Sequence, residues 1–212
     1  MKSNALNRFK RFFGREGTNA FQLERETKIK YDLILQEMIS VNAKSVLDVG
    51  CNAGEITRLA GQDGFFSVGL DQRLDFRGVE SPLNKACLGQ MEMNSELIDN
   101  LPNFDIVLLL SVHHQLIEKW GDGQTKDFVK RLALKANKGL IIEFAALNSK
   151  YGKEYGYLFD DNSENEVVHY ALSWLQDIFA DHSCRFVGKA PQTKSEPYRF
   201  VFSCLLPDLE SL

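Results

Sequence analysis

The sequence predicts an α/β domain built on a doubly wound, mainly parallel sheet, and three observations carry that prediction. Short, continuous apolar runs alternate along the chain with segments of helical spacing, the pattern of strands covered on both faces. The first such run stops at a glycine-rich turn and restarts as a helix. The last two runs lie close together, which suits an antiparallel hairpin at the sheet edge.

The elements follow in order. Residues 1–17 form a basic arm spotted with Phe9, Phe12 and Phe13 and closed by Gly14 and Gly17; Phe21 to Ile39 then carries Ile29, Leu33, Ile34 and Met38 at helical spacing. Lys44 to Val49 reads as the first strand, Gly50 as its stop, and Glu55 to Ala60 as the helix that follows. Phe65 to Leu70 is a second strand ending in Asp71, and Lys85 to Leu88 is a weaker one. Phe104 to Leu110 is the next clear strand, Lys126 to Leu134 an amphipathic helix, and Gly139 to Phe144 another strand. A polar, tyrosine-rich insert spans about 147–166, helical spacing resumes from Val167 to Phe179, and Arg185–Val187 and Arg199–Ser203 supply the last two strands. Residues 1–40 are thus expected as an arm and helix serving as a lid or docking element, and 41–212 as the main domain.

Composition narrows the function classes. At roughly 150 residues per domain, 212 residues make one domain with elaborations. The apolar run Ile106 to Leu110 falls well short of the ~18–20 residues of a spanning helix. Lys2, Arg8, Lys10 and Arg11 precede no apolar core or cleavage site, so the N-terminus does not read as a secretory signal. Cys51, Cys87, Cys184 and Cys204 lie far apart without a CxxC pair, which predicts reduced thiols of a cytoplasmic protein, no disulfide framework and no metal site. A net charge of −4 argues against broad, charge-driven nucleic-acid binding.

The chemistry concentrates in Val46-Leu47-Asp48-Val49-Gly50-Cys51-Asn52-Ala53-Gly54. In an open α/β sheet a strand-to-helix turn lies at the carboxyl end of the strand, where ligands bind, and small residues admit a ligand to the backbone. Gly50-x-Asn52-x-Gly54 lacks the GxGxxG spacing of a pyrophosphate loop, and no Gly-Lys-Ser/Thr follows for a P-loop.

Asp48-Val49-Gly50-Cys51-Asn52-Ala53-Gly54 resembles the first motif of class I S-adenosylmethionine-dependent methyltransferases, with Asn52 where many members carry a second glycine. The resemblance implies a Rossmann-like, seven-stranded sheet and S-adenosyl-L-methionine as cofactor, with S-adenosyl-L-homocysteine as product. It implies that Asp48, Gly50, Cys51, Asn52 and Gly54 hold the amino-acid end of the cofactor. Asp71 is then the ribose ligand, Gln90 and Met91 flank the adenine, and Ser111 follows the fourth strand beside the methyl. His113 and His114 come next, where the family projects groups towards the acceptor. A histidine there can take a proton or hold an anionic oxygen. His114 is favoured, because glycan-type look-alikes carry a histidine at its position.

Two narrower resemblances concern the acceptor. Phe104 to His114, Lys130-Arg131-Leu132, Ile141-Ile142-Glu143 and Glu196-Pro197-Tyr198-Arg199 look like methyltransferases of bacterial lipopolysaccharide and capsule synthesis, some of which cap a glycan's terminal phosphate or sugar. Trp120-Gly121-Asp122-Gly123, Glu143 and Ser149-Lys150-Tyr151 look like the bicoid-interacting type that methylates RNA γ-phosphates, although His113-His114-Gln115 replaces its Thr-Lys-Trp signature. Lys150, Tyr151, Tyr198 and Arg199 are the acceptor-binding candidates, since tyrosine stacks on sugars and arginine grips phosphate. The expected activity is O-methylation of a glycan or phosphate-bearing small acceptor. RNA methylation and a non-catalytic cofactor-binding subunit are the alternatives, and the N-terminal arm is a candidate for membrane-surface contact or self-association.

Overall fold

The computed structural model describes residues 20–74, 85–145, 164–179, 183–191 and 198–206, and the side chains of these except 20–25. The basic arm, most of the tyrosine-rich insert, and with them Lys150 and Tyr151, lie outside the described residues.

Seven strands form one sheet in the order β3-β2-β1-β4-β5-β7-β6. They are β1 (Ser45–Val49), β2 (Phe66–Asp71), β3 (Ala86–Gln90), β4 (Phe104–Leu109), β5 (Ala136–Ala145), β6 (Ser183–Pro191) and β7 (Tyr198–Leu205). The first five run parallel, while β7 pairs antiparallel with both β5 and β6. The expected edge hairpin is present, its second strand inserted between β5 and β6. The helices are α1 (Ala20–Ser40), α2 (Glu55–Gln62), α3 (Ser95–Asn100), α4 (His113–Ala133) and α5 (Glu164–Gln176).

Side chains alternate along each strand and so divide between two cores. Val46, Ile106, Leu108, Ile141 and Val201 face Tyr31, Ile34 and Met38 of α1 and Ile56 and Ala60 of α2. Leu47, Val49, Val107, Leu109, Ile142 and Phe202 face Ile98 of α3, Leu116, Phe128 and Leu132 of α4, and Trp174 of α5. Tyr31, Ile34 and Met38 are at most 1% exposed, so α1 is a structural layer of the domain; the arm that precedes it in the expected lid or docking element, residues 1–19, lies outside the described residues. The apolar stripe from Ile29 to Met38 that marked it as a helix is the stripe that one sheet face needs. Long-range contacts fasten it, among them the Tyr31 hydroxyl donating to Asp63 (2.7 Å) and Arg185 of β6 pairing with Glu37 (2.6 Å).

Two helices begin earlier than their spacing predicts. The segment before Lys126 is already helical from His113, broken at Gly121 (φ 78°, ψ 172°), and α5 starts at Glu164 with acids in its first turn. Asp122, just past the break, accepts the Trp174 indole N–H (2.6 Å) and pairs with Lys126 (3.0 Å). The Trp120-to-Gly123 run therefore ties α4 to α5.

One expectation fails outright: Cys184 and Cys204, opposite one another on β6 and β7, form a disulfide. Twenty residues separate them in the chain, so spacing gave no sign of it; only the hairpin register brings them together. Cys51 and Cys87 are free.

Candidate active site

The turn after β1 is built by backbone conformations that its small residues permit. Gly50, Asn52 and Gly54 have φ of 77°, 53° and 78°. Asn52 is one of the few side-chain-bearing residue types that tolerate this region. Glycine is required on both sides of it. A Cβ on Gly50 would come within 2.2 Å of Val112 Cγ2, and one on Gly54 within 2.6 Å of Leu88. The turn is pinned to β2, because the Gly50 and Cys51 N–H groups both donate to the Leu70 carbonyl (2.7 and 3.2 Å).

Asp71, at the end of β2, accepts the Asn52 N–H at Oδ2 and the Arg73 N–H at Oδ1, both at 2.8 Å. These bonds hold the carboxylate beside the glycine turn, and each oxygen keeps a further lone pair for a ribose hydroxyl. Asp48 lies differently. It is 3% exposed and accepts the Thr57 hydroxyl (2.7 Å), tethering β1 to the first turns of α2. Burial lifts its carboxyl to about 6 against the Thr57 hydrogen bond, with Glu55 adding to the rise and Lys30 opposing it. Cys51 is buried, and burial pushes its thiol up, aided by Asp48 and Asp71, so it is held in the unreactive form. Gln90 and Met91 close the β3 end: Gln90 donates to the Gln72 carbonyl (3.2 Å), the Met91 N–H to the Asp71 carbonyl (2.8 Å), and the Met91 side chain is exposed.

Beyond β4 the two histidines, of which one was expected to face the acceptor, lie in different surroundings. His113 is 2% exposed, with its ring centroid 4.3 Å from Phe144 and 4.7 Å from Trp174. Burial, and secondly His114, lower it to about 3, so it is neutral, and its Nε2 meets no hydrogen-bond partner among the described residues. It is a core residue of the α4–α5 face, a role its position in sequence does not distinguish from that of its neighbour. His114 is also buried, in the first turn of α4. Ser111, before it, is held at φ 57°, with its carbonyl accepting Gln115 Nε2 (3.0 Å).

Sequence reasoning missed a buried charge cluster on the α1 face of this same edge. Glu143 is wholly buried; it accepts the Ser111 hydroxyl (2.6 Å), pairs with Lys30 of α1 (2.6 Å) and lies 3.6 Å from Arg199 Nε. Burial pushes its carboxyl up, but Lys30, Arg199 and the Ser111 hydrogen bond outweigh it and hold the group below the usual carboxylate range. A lone acid inside Leu140-Ile141-Ile142-Glu143-Phe144 was a visible signal. Lys30 gave none. Arg199, expected near the acceptor as a phosphate grip, is 3% exposed and lies beside Glu143 in this cluster. Tyr198 stays at the surface, 42% exposed, with Lys189 Nζ 4.9 Å from its ring centroid. Among the described residues no group of three or more His, Cys, Asp or Glu is placed to hold a metal.

No family model matches the chain, and no curated protein matches it by sequence. Solved structures do. The fold superposes on magnesium protoporphyrin IX methyltransferase (ChlM) from Synechocystis PCC 6803 with bound S-adenosylhomocysteine, at a TM-score of 0.59 and 20% identity over 97% of this chain and 95% of that one. It superposes on the bifunctional kinase-methyltransferase WbdD at a TM-score of 0.61 and 20% identity, over 92% of this chain but 41% of that one, so it spans under half of that protein. The methyltransferase domain of a bacterial Hen1 follows at 0.53 and 18%, over 84% of this chain and 97% of that one. These likenesses establish the fold as the Rossmann-like, seven-stranded sheet of methyltransferase structures solved with S-adenosylmethionine or its product.

Proposed function

We propose that the chain is an S-adenosylmethionine-dependent O-methyltransferase acting on a glycan or phosphate-bearing acceptor. The observation that carries this reading is the hydrogen bond from Asn52 N–H to Asp71, which joins an acid-and-glycine turn to an acid at the neighbouring strand end in a fold shared with enzymes of that kind. The residues fit the cofactor. Gly50 and Gly54 supply the left-handed backbone that forms the turn, and Asp71 has lone pairs for two ribose hydroxyls. Gln90 and Met91 stand at the end of the strand next to Asp71, where an adenine would lie. When bound, the cofactor supplies an activated methyl for direct displacement, which asks mainly for positioning.

This chain's residues would do the remainder. Asp71 orients the ribose, Asp48 sets a negative charge beneath the turn, and Ser111 and His114 follow β4, where a methyl and its acceptor would meet. The run from Phe104 to His114, which looks like methyltransferases of lipopolysaccharide and capsule synthesis, favours a glycan acceptor and a place in polysaccharide synthesis. Calorimetry with S-adenosylhomocysteine tests the cofactor, and labelled S-adenosylmethionine incubated with fractions of soluble glycan, lipid-linked sugar and RNA tests the acceptor. Absence of cofactor binding would sink the reading. Labelling of RNA alone would move it to a nucleic-acid methyltransferase, and cofactor binding without transfer to any fraction would favour a partner subunit.

A further inference from the structure

Lys30, Glu143 and Ser111 form a line of contacts at the carboxyl edge of the sheet that cofactor binding leaves unexplained. The line starts on α1, outside the strand-turn-helix unit, and ends at the residue that leaves β4. Glu143 faces Lys30 from α1, Arg199 from β7 and Ser111 from the link between β4 and α4, while Lys30 also feels Asp48 on β1. A serine hydroxyl has one proton and two lone pairs, and an ionised carboxylate only accepts. The Ser111 proton is therefore committed to Glu143 Oε1 at 2.6 Å, and the half-buried Ser111 oxygen has only lone pairs left for a group arriving at the edge of β4. Its left-handed backbone, costly for a residue with a side chain, holds it there.

We propose that Lys30 and Glu143 are a positioning pair that fixes the Ser111 hydroxyl as a hydrogen-bond acceptor. The group methylated beside it must then bring its own proton, so it is a sugar or other hydroxyl and not an ionised phosphate oxygen; as its oxygen takes the methyl, that proton leaves through Ser111 to Glu143, or to His114 where the imidazole is the base. An ionised phosphate would set its own lone pairs against those of Ser111. This inference rests on the methyltransferase reading and narrows its acceptor.

The test uses the full chain, labelled S-adenosylmethionine and whichever fraction accepts label, with and without prior alkaline phosphatase. The transferred methyl should show no coupling to phosphorus by NMR, whether or not phosphatase removes acceptance; a phosphorus-coupled methyl would identify a phosphate oxygen and overturn the proposal. Ser111→Ala and Lys30→Met should each lower kcat by at least ~10-fold while S-adenosylhomocysteine affinity stays within about threefold, and Lys30→Arg should recover most of the loss. Without its lysine, Glu143 takes up a proton at higher pH, so the acid limb of the kcat profile should move up by about a unit or more in Lys30→Met. An unmoved limb, or a loss of cofactor affinity with unchanged turnover per bound cofactor, would make the cluster a structural tie or a cofactor contact and overturn the positioning role. If no fraction accepts label, the carboxyl carbon of Glu143 followed by NMR decides: its titration should shift upward in Lys30→Met, and identical curves would overturn the proposal. Failure of the intact protein to bind S-adenosylhomocysteine would instead strike the underlying reading, and the inference with it.

Discussion

At the residue scale, neighbours in sequence divide sharply in role. Asp71 is fixed by two backbone N–H groups at the turn, so Asp71→Ala should weaken S-adenosylhomocysteine binding by about 10 to 100-fold in calorimetry, the worth of one or two charge-assisted hydrogen bonds. His114→Ala should leave that affinity nearly unchanged and slow transfer by ~10² to 10⁴ if the imidazole accepts the hydroxyl proton; poor folding with normal turnover per folded molecule would make it structural. His113 predicts a different experiment. Its pKa falls from 6.5 to about 3 on folding, so the unfolded chain binds more protons between those values, and stability present above pH 6.5 drains away as the pH falls towards 3. Urea titrations of His113→Leu across that window should show a flatter decline than the parent, and parallel curves would contradict a buried neutral ring. Asp48 acts in the opposite sense, its raised carboxyl costing stability progressively as the pH rises from 3.8 to about 6, but it contributes equally to both proteins and drops out of the comparison. Resemblance favoured His114 over His113, but the burial of His113 was not legible in the sequence, because it depends on Phe144 and Trp174 around its ring.

At the element scale, the turn after β1 was legible because its constraint is local: left-handed backbone and close approach both select glycine. Gly50→Ala adds ~1–2 kcal/mol of backbone strain and a methyl that collides with Val112, so it should lower Tm and abolish cofactor binding together. Retained binding would mean that the turn relaxes without harm. The β6–β7 hairpin was legible as two strands, but not its disulfide, which depends on register. Denatured without reductant, the protein should show two reactive thiols, Cys51 and Cys87, and four after reduction. Closing a loop of this length stabilises by about 3 kcal/mol on the chain-entropy model, so reductant should lower Tm measurably. Four reactive thiols at the outset would contradict the bond.

At the scale of the whole molecule, α1 covers one face of the sheet and also delivers Lys30 to Glu143, so stability and the site share one helix. Removal of residues 1–40 withdraws Tyr31, Ile34 and Met38 from Val46, Ile106, Leu108 and Ile141, each buried side chain being worth on the order of 1.5–3 kcal/mol. The truncated chain should lose its cooperative thermal transition and bind a hydrophobic dye; a sharp transition near the parent Tm would restore the view of α1 as a dispensable lid. The sheet order places the turn, Asp71 and Ser111 at the carboxyl ends of β1, β2 and β4, the edge at which doubly wound sheets bind ligands.

The sequence by itself determined the strands, the order of strand and helix, the glycine turn and the acid that ends β2, since each is written in neighbouring residues through periodicity, backbone strain or turn chemistry. The tertiary structure alone decided the Lys30–Glu143–Ser111 line, the burial of Arg199 and His113, and the Cys184–Cys204 bond. In each of these, groups distant in sequence meet through sheet register or helix packing, and charge, desolvation and bonding depend on distance in space.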